Sequence, residues 1–179
     1  MLAGLSQEER KDLHLTAAGN YFYLTQVYSL FQVFKTSIFP QGKTLSADGR
    51  DDRADYAEIK DAMKVLMFKD SDIWSTMRVL AALLHIGNIQ YAATTVNNID
   101  ATEIHDNGGA VAAASRLLQI DARALVNALT TRTLVTRNER VVSALTGEQS
   151  LDVRDALVKA IYGHLFEWLV SMINTAIYK

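Results

Sequence analysis

Leu151–Lys179 reads LDVRDALVKAIYGHLFEWLVSMINTAIYK, and this stretch decides the fold. Every fourth residue from Val153 is apolar: Val153, Leu157, Ile161, Leu165, Leu169, Ile173 and Ile177. A second row, Val158, Tyr162, Phe166 and Val170, is apolar too, leaving Asp155, Lys159, Glu167 and Ser171 as a narrow polar stripe. Residues four apart share one side of an α-helix, so two such rows cover most of its circumference. A helix of that kind is expected to be buried on most sides, as the spine of something larger than a small bundle. No glycine, proline or capping signal follows it, the pattern expected of a piece of a longer protein.

The rest of the composition sets bounds. A chain of 179 residues, 49% hydrophobic, fits one domain with a real core. The net charge of −2 supplies no basic field for nucleic acid. The absence of cysteine excludes a disulfide scaffold, thiolate zinc sites and a cysteine nucleophile. The opening MLAGLSQEERK lacks the basic and apolar pattern of a signal peptide. Charges are expected to interrupt every apolar run before it reaches the length of a membrane span.

Working outward from the last helix, the chain reads as a series of helices. Ser6 with Glu9, and Thr146 with Gln149, form capping boxes that open helices. Leu45–Asp55 is a polar loop, followed by helical spacing of Tyr56, Ile59, Met63, Leu66 and Met67 through Phe68. Ser71 or Asp72 is expected to cap a helix carrying Trp74, Met77, Leu80, Ala81, Leu84 and His85, ending near Gly87-Asn88. Ile89–Val96 reads as a short strand and Asn97–Gly109 as loop. Ala110–Leu118 and Arg123–Thr130 read as helices, and Thr133–Leu145 as an exposed loop or hairpin around a charged Arg137-Asn138-Glu139-Arg140 centre. Val27–Gln41, VYSLFQVFKTSIFPQ, stands apart: aromatic, β-branched and holding the only proline, Pro40.

Candidate chemistry is sparse. Gly42-Lys43-Thr44 resembles the end of a phosphate loop, but the glycine needed five positions earlier is Ser37. His14, His85, His105 and His164 are too far apart for metal-ligand spacing; His85 is expected at a helix end and His164 on the polar stripe. Asp51-Asp52 and Glu8-Glu9 read as solvated charge pairs. No catalytic, cofactor or metal residue is assigned. The mixed charges of 137–140 suit a solvated turn or the docking loop of an interaction module.

Three stretches, AEIKDAMKVLMF (Ala57–Phe68), RVLAALLHIGNIQY (Arg78–Tyr91) and SLDVRDALVKAIYGHLFEWLVSMIN (Ser150–Asn174), resemble the motor head of myosin. TTRTLVTRNERVVSALTGEQSLDVRDALVKAIYG is most similar to unconventional class VII. The resemblance implies a mainly α fragment of the P-loop NTPase motor fold, from its upper 50-kDa subdomain. It would include a short hairpin-like actin loop at Thr133–Leu145 and a long central helix leading towards switch II. The Ala92–Gly109 region is similar to a neighbouring loop that approaches actin. In that family a residue sixteen before the Asp of the DALVK-like motif must be acidic or phosphorylatable. Here it is Glu139, flanked by Arg132, Arg137 and Arg140, so these four are the implied actin-binding residues.

The implied partners are the actin filament and the rest of the heavy chain, with light chains or calmodulin bound only through a neck not in this sequence. The implied place is the cytoplasmic actin cytoskeleton. ATP and Mg would belong to the complete motor. Phosphate loop, switch I and switch II are missing from these residues, so this chain alone is expected not to bind or hydrolyse ATP. The competing reading is a stand-alone helical interaction module. Without Val27–Gln41, Gln26 would join Gly42 as YFYLTQGKTLSADGRDD, in step with the family. The segment's Val start and Ile-Phe-Pro-Gln end suit an in-frame retained intron or other insertion within one partial motor domain, residues 1–179.

Overall fold

The computed structural model of the protein describes residues 1–25, 49–96, 99–106, 109–136 and 139–178. Val27–Gln41 and Gly42-Lys43-Thr44 therefore lie outside the described residues. The remainder is mainly helical, with two small antiparallel sheets.

Helix starts follow their local chemistry. In α1 (Gln7–Asp12) the Ser6 hydroxyl accepts from the Glu9 N–H at 3.1 Å, and the Glu9 carboxylate accepts from the Ser6 N–H at 2.7 Å. This box also holds the Glu9 carboxyl below the usual range, chiefly through the backbone hydrogen bond. A 3-10 turn (Ala18–Asn20) and the short α2 (Phe22–Thr25) follow. Asp51 caps α3 (Asp52–Val65) by accepting from Arg53 and Ala54 N–H groups. The helix stops before Phe68 because Met67 takes a left-handed φ of 64°, turning buried Phe68 inward.

Neither Ser71 nor Asp72 is the cap of α4 (Asp70–Gly87). Lys69 is the N-cap residue, and Asp72, within the first turn, reaches back to the Lys69 N–H at 3.1 Å. The helix ends at Gly87 with Asn88 as C-cap.

The expected loop over Asn97–Gly109 is instead mostly strand. β1 (Gln90–Val96) pairs antiparallel with β2 (Ile99–His105), from Gln90 opposite His105 to Val96 opposite Ile99. After α5 (Ala110–Leu118) and α6 (Ala122–Thr130), β3 (Thr131–Thr136) pairs with β4 (Glu139–Ala144). The Thr146/Gln149 box then opens α7 (Gly147–Ile177).

Among the described residues, two buried clusters form the core. One gathers Leu13, Tyr21, Met63, Phe68, Met77 and Ala81 from the N-terminal segment, α3 and α4. The other gathers Ile86, Ile89, Val111, Ala114, Leu125 and Leu129 around α5, α6 and the end of α4. α7 spans both: Val153, Leu157 and Ile161 pack on the second, and Leu169, Met172 and Ile173 on the first.

Among the described residues, α7 is not buried on most sides. Its first apolar row is half-buried through Ile173, whereas Tyr162 and Phe166 of the second are 55% and 60% exposed. Among the described residues, only one side of the helix meets other elements. Glu167 interrupts the apolar run of α7, yet the helix is still long and apolar enough, by length and composition alone, to cross a membrane. Its row of contacts on both core clusters matches a helix of a globular body equally well.

Candidate functional site: two hairpins on a common root

The β3–β4 hairpin is a two-stranded ribbon exposed on both faces. Register and alternation put Arg132, Leu134, Glu139, Val141 and Ser143 on one face, and Thr133, Val135, Arg140 and Val142 on the other. Glu139 sits in the outermost described pair, opposite Thr136; Arg140 opposes Val135, and Arg132 opposes Ser143 nearer the base. Arg132 and Glu139 thus share a face at opposite ends of the ladder, roughly 13 Å apart along the strands. Arg140 points to the other side. Among the described residues no ion pair joins Glu139 to either arginine. Arg137 lies outside the described residues.

The ribbon also exposes apolar surface: Leu134, Val135, Val141 and Val142 are 45%, 78%, 50% and 59% exposed. An isolated two-stranded hairpin is marginally stable. This one is held at its base, where Leu145 N–H donates to the Thr130 carbonyl at 2.8 Å and β2 lies against β4. The β1–β2 hairpin exposes Val96 and Ile99 in its last pair.

Below the hairpins lies an ionic cluster that the sequence did not disclose. Arg154, in the third turn of α7, is 3% exposed. Its Nε and Nη2 donate to Asp155 Oδ1 at 2.9 and 2.8 Å, and its Nη1 to the Gly87 carbonyl at 3.2 Å. Its guanidinium lies 4.6 Å from the Phe22 ring centre and 5.6 Å from that of Tyr23. The Tyr23 hydroxyl donates to the same Asp155 oxygen at 2.6 Å. Burial, then this hydrogen bond, raise the Tyr23 pKa, so the phenol stays a donor. Asp155, expected on the polar stripe, is therefore occupied. No spacing signal marks Arg154, because a charge in the first turns of a helix normally faces water.

The histidines do not converge. His164 is exposed on the polar stripe beside Glu167. His105 is exposed beside Glu103. His85 is buried near the end of α4, facing the Leu13 carbonyl from another segment. Among the described residues no group of three or more histidines or acids could hold a metal ion. A cleft of ≈ 940 Å³ is lined by His14, Tyr21, His85, Tyr91, Asp106 and Arg154 among others.

Residues 1–179 match the family described as "Myosin head (motor domain)". Over its whole length the chain is 48% identical to unconventional myosin heavy chain 6 of Caenorhabditis elegans and 48% identical to myosin-VIIa of Drosophila melanogaster. Over 99% of its length it is 36% identical to unconventional myosin-VIIb of Mus musculus. It spans 8% of the length of each of these curated relatives. With a family match over every residue and relatives of the class VII type, the chain belongs to the myosin head (motor domain) family.

Proposed function

We propose that this chain is part of an actin-based, ATP-driven cytoskeletal motor, supplying the upper wall of the actin-binding cleft and one actin-contacting loop. The observation that carries this reading is the β3–β4 ribbon, exposed on both faces, with Glu139 in its outermost described pair. A fixed negative charge there sets the register of docking on a filament, and the exposed Val135 and Val142 add apolar contact. Arg132 and Arg140 supply opposite charge on the two faces; Arg137 would complete the set.

On this reading residues 1–179 are one piece of a P-loop NTPase motor domain, from the upper 50-kDa region, working at the cytoplasmic actin cytoskeleton. Val27–Gln41 is an insertion in it. Phosphoryl transfer needs phosphate-binding amides, a magnesium ligand and a positioned water. ATP and Mg belong to the rest of the heavy chain, as do any light chains or calmodulin. The test is Glu139→Lys in the complete motor. Actin-activated ATPase should fall while basal turnover holds; unchanged activation refutes the role of Glu139.

A further inference from the structure

Four segments meet at Arg154. α2 brings Phe22 and Tyr23, the end of α4 brings the Gly87 carbonyl, α7 brings Arg154 and Asp155, and β1 brings Tyr91. Burial pushes the Tyr91 hydroxyl up to about 12, and the charges of both Arg154 and Asp155 act on it. Ser150, one turn before Arg154 on the same side of α7, is fully buried. The hydroxyls of Tyr91 and Ser150 have no hydrogen-bond partner among the described residues. Asn88 adds a second tie, accepting from the Phe22 N–H at 2.8 Å and donating to the Asn20 carbonyl at 2.7 Å.

β1 leaves from this junction directly, and the β3–β4 hairpin joins it through β2, which lies against both β4 and α7. β1 starts at Gln90, just beyond Gly87 and Asn88, and β4 ends at Ala144, just before the cap of α7. β2 approaches the first residue of α7, where a Cβ on Gly147 would lie 3.9 Å from Thr102 Oγ1. A buried guanidinium is costly unless paired and hydrogen-bonded, and losing its partners leaves a stranded charge. The α4, α2 and α7 ends are therefore coupled through one ion pair.

We propose that Arg154 is a positioning residue: paired with Asp155, it fixes both hairpins on one root and so sets how the Glu139 ribbon stands relative to the β1–β2 hairpin. The consequence for actin rests on the function proposed above; the root itself does not.

The test uses the complete motor with Arg154→Met, Arg154→Lys and Tyr23→Phe, and Glu139→Lys as control. Amide exchange is read separately over 90–105, 131–144 and α5. Arg154→Met should speed exchange in both hairpins by about tenfold and leave α5 unchanged. It should raise the KM for actin by about tenfold, with basal ATPase and maximal rate retained. Arg154→Lys should recover part of both effects, since the charge returns without the planar fork. Faster exchange in only one hairpin, or in neither, overturns the proposal. If Arg154→Met loosens α5 as well, Tyr23→Phe decides, because it removes only one O–H: faster exchange in both hairpins supports the root, and no change overturns it. If Glu139→Lys leaves actin dependence intact while Arg154→Met loosens both hairpins, the root stands and the actin reading falls. If Glu139→Lys acts but Arg154→Met changes neither exchange nor KM, the root falls and the actin reading stands.

Discussion

His85 Nε2 lies 3.0 Å from the main-chain carbonyl of Leu13, 72 residues earlier in the chain. The bond clamps the N-terminal segment onto the end of α4, and the Tyr21 ring meets the imidazole edge-on, 5.9 Å between centres. A neutral ring protonated on Nε2 donates to that carbonyl. Burial, with a smaller contribution from His14, holds the His85 pKa below its ordinary value, against an upward pull from the Leu13 bond. The unfolded chain therefore takes up a proton at higher pH than the native one. This contribution is full above the unfolded value of about 6.5 and is lost as pH falls from there through the lower folded value. Thermal unfolding should show Tm falling between pH 7 and pH 5, and His85→Gln should flatten that fall. An equal slope in the variant would count against His85 as its source.

Gly87 has no room for a side chain. A Cβ there would stand 2.5 Å from two carbons of the Tyr23 ring, so the ring would have to move off Asp155. Gly87→Ala should destabilise by about 1–3 kcal/mol, the usual cost of overpacking. Gly147→Ala is the matched control, since its Cβ would meet nothing closer than 3.9 Å. Denaturant titration of both variants checks the contrast; equal midpoints would remove the steric argument.

The uncovered side of α7 has a solution signature. Tyr162, Phe166 and Ile177 are 55%, 60% and 63% exposed along one helix. Exposed apolar surface of this extent promotes association unless a partner covers it. The 179-residue chain by itself should self-associate in light scattering. Tyr162→Lys with Phe166→Glu should suppress this, and scattering that stays the same after both changes would point elsewhere.

Nucleotide binding offers a sharp negative. Titrating the isolated chain with MgATP into the millimolar range should give no heat and no change in thermal stability. Saturable binding would revive Gly42-Lys43-Thr44 as a phosphate site despite Ser37.

Val27–Gln41 can be checked at the level of the message. If the segment is a retained intron, sequencing of mature transcripts should find Gln26 joined to Gly42. Messages that keep the coding sequence for these residues would sink that idea.

How much was legible depended on where the information sits. Capping boxes are local, so Ser6/Glu9 and Thr146/Gln149 announced α1 and α7 without any tertiary knowledge. Ala110–Leu118 was equally plain, being a run of small apolar residues. β2 was hidden because its buried residues, Ala101 and Thr102, are adjacent rather than alternating, and Asp100 and Glu103 flank them. Only pairing with β1 makes that segment a strand. Arg154 was hidden for a related reason: its partners come from Phe22, Tyr23 and Gly87, far away in sequence. The exposed ribbon was expected from its charged centre, but the division of Arg132 and Arg140 between its faces follows only from the register.

α7 is also a measuring rod. Its 31 residues run about 46 Å without a break, with the capped end beside the hairpin root and the other end against the N-terminal cluster. Held along one side by the described residues, it turns small angles into distances: a tilt of about 5° about the capped end carries the far end about 4 Å. Read in reverse, a displacement of that size imposed near Ile177 reaches Arg154 as a rotation of a few degrees.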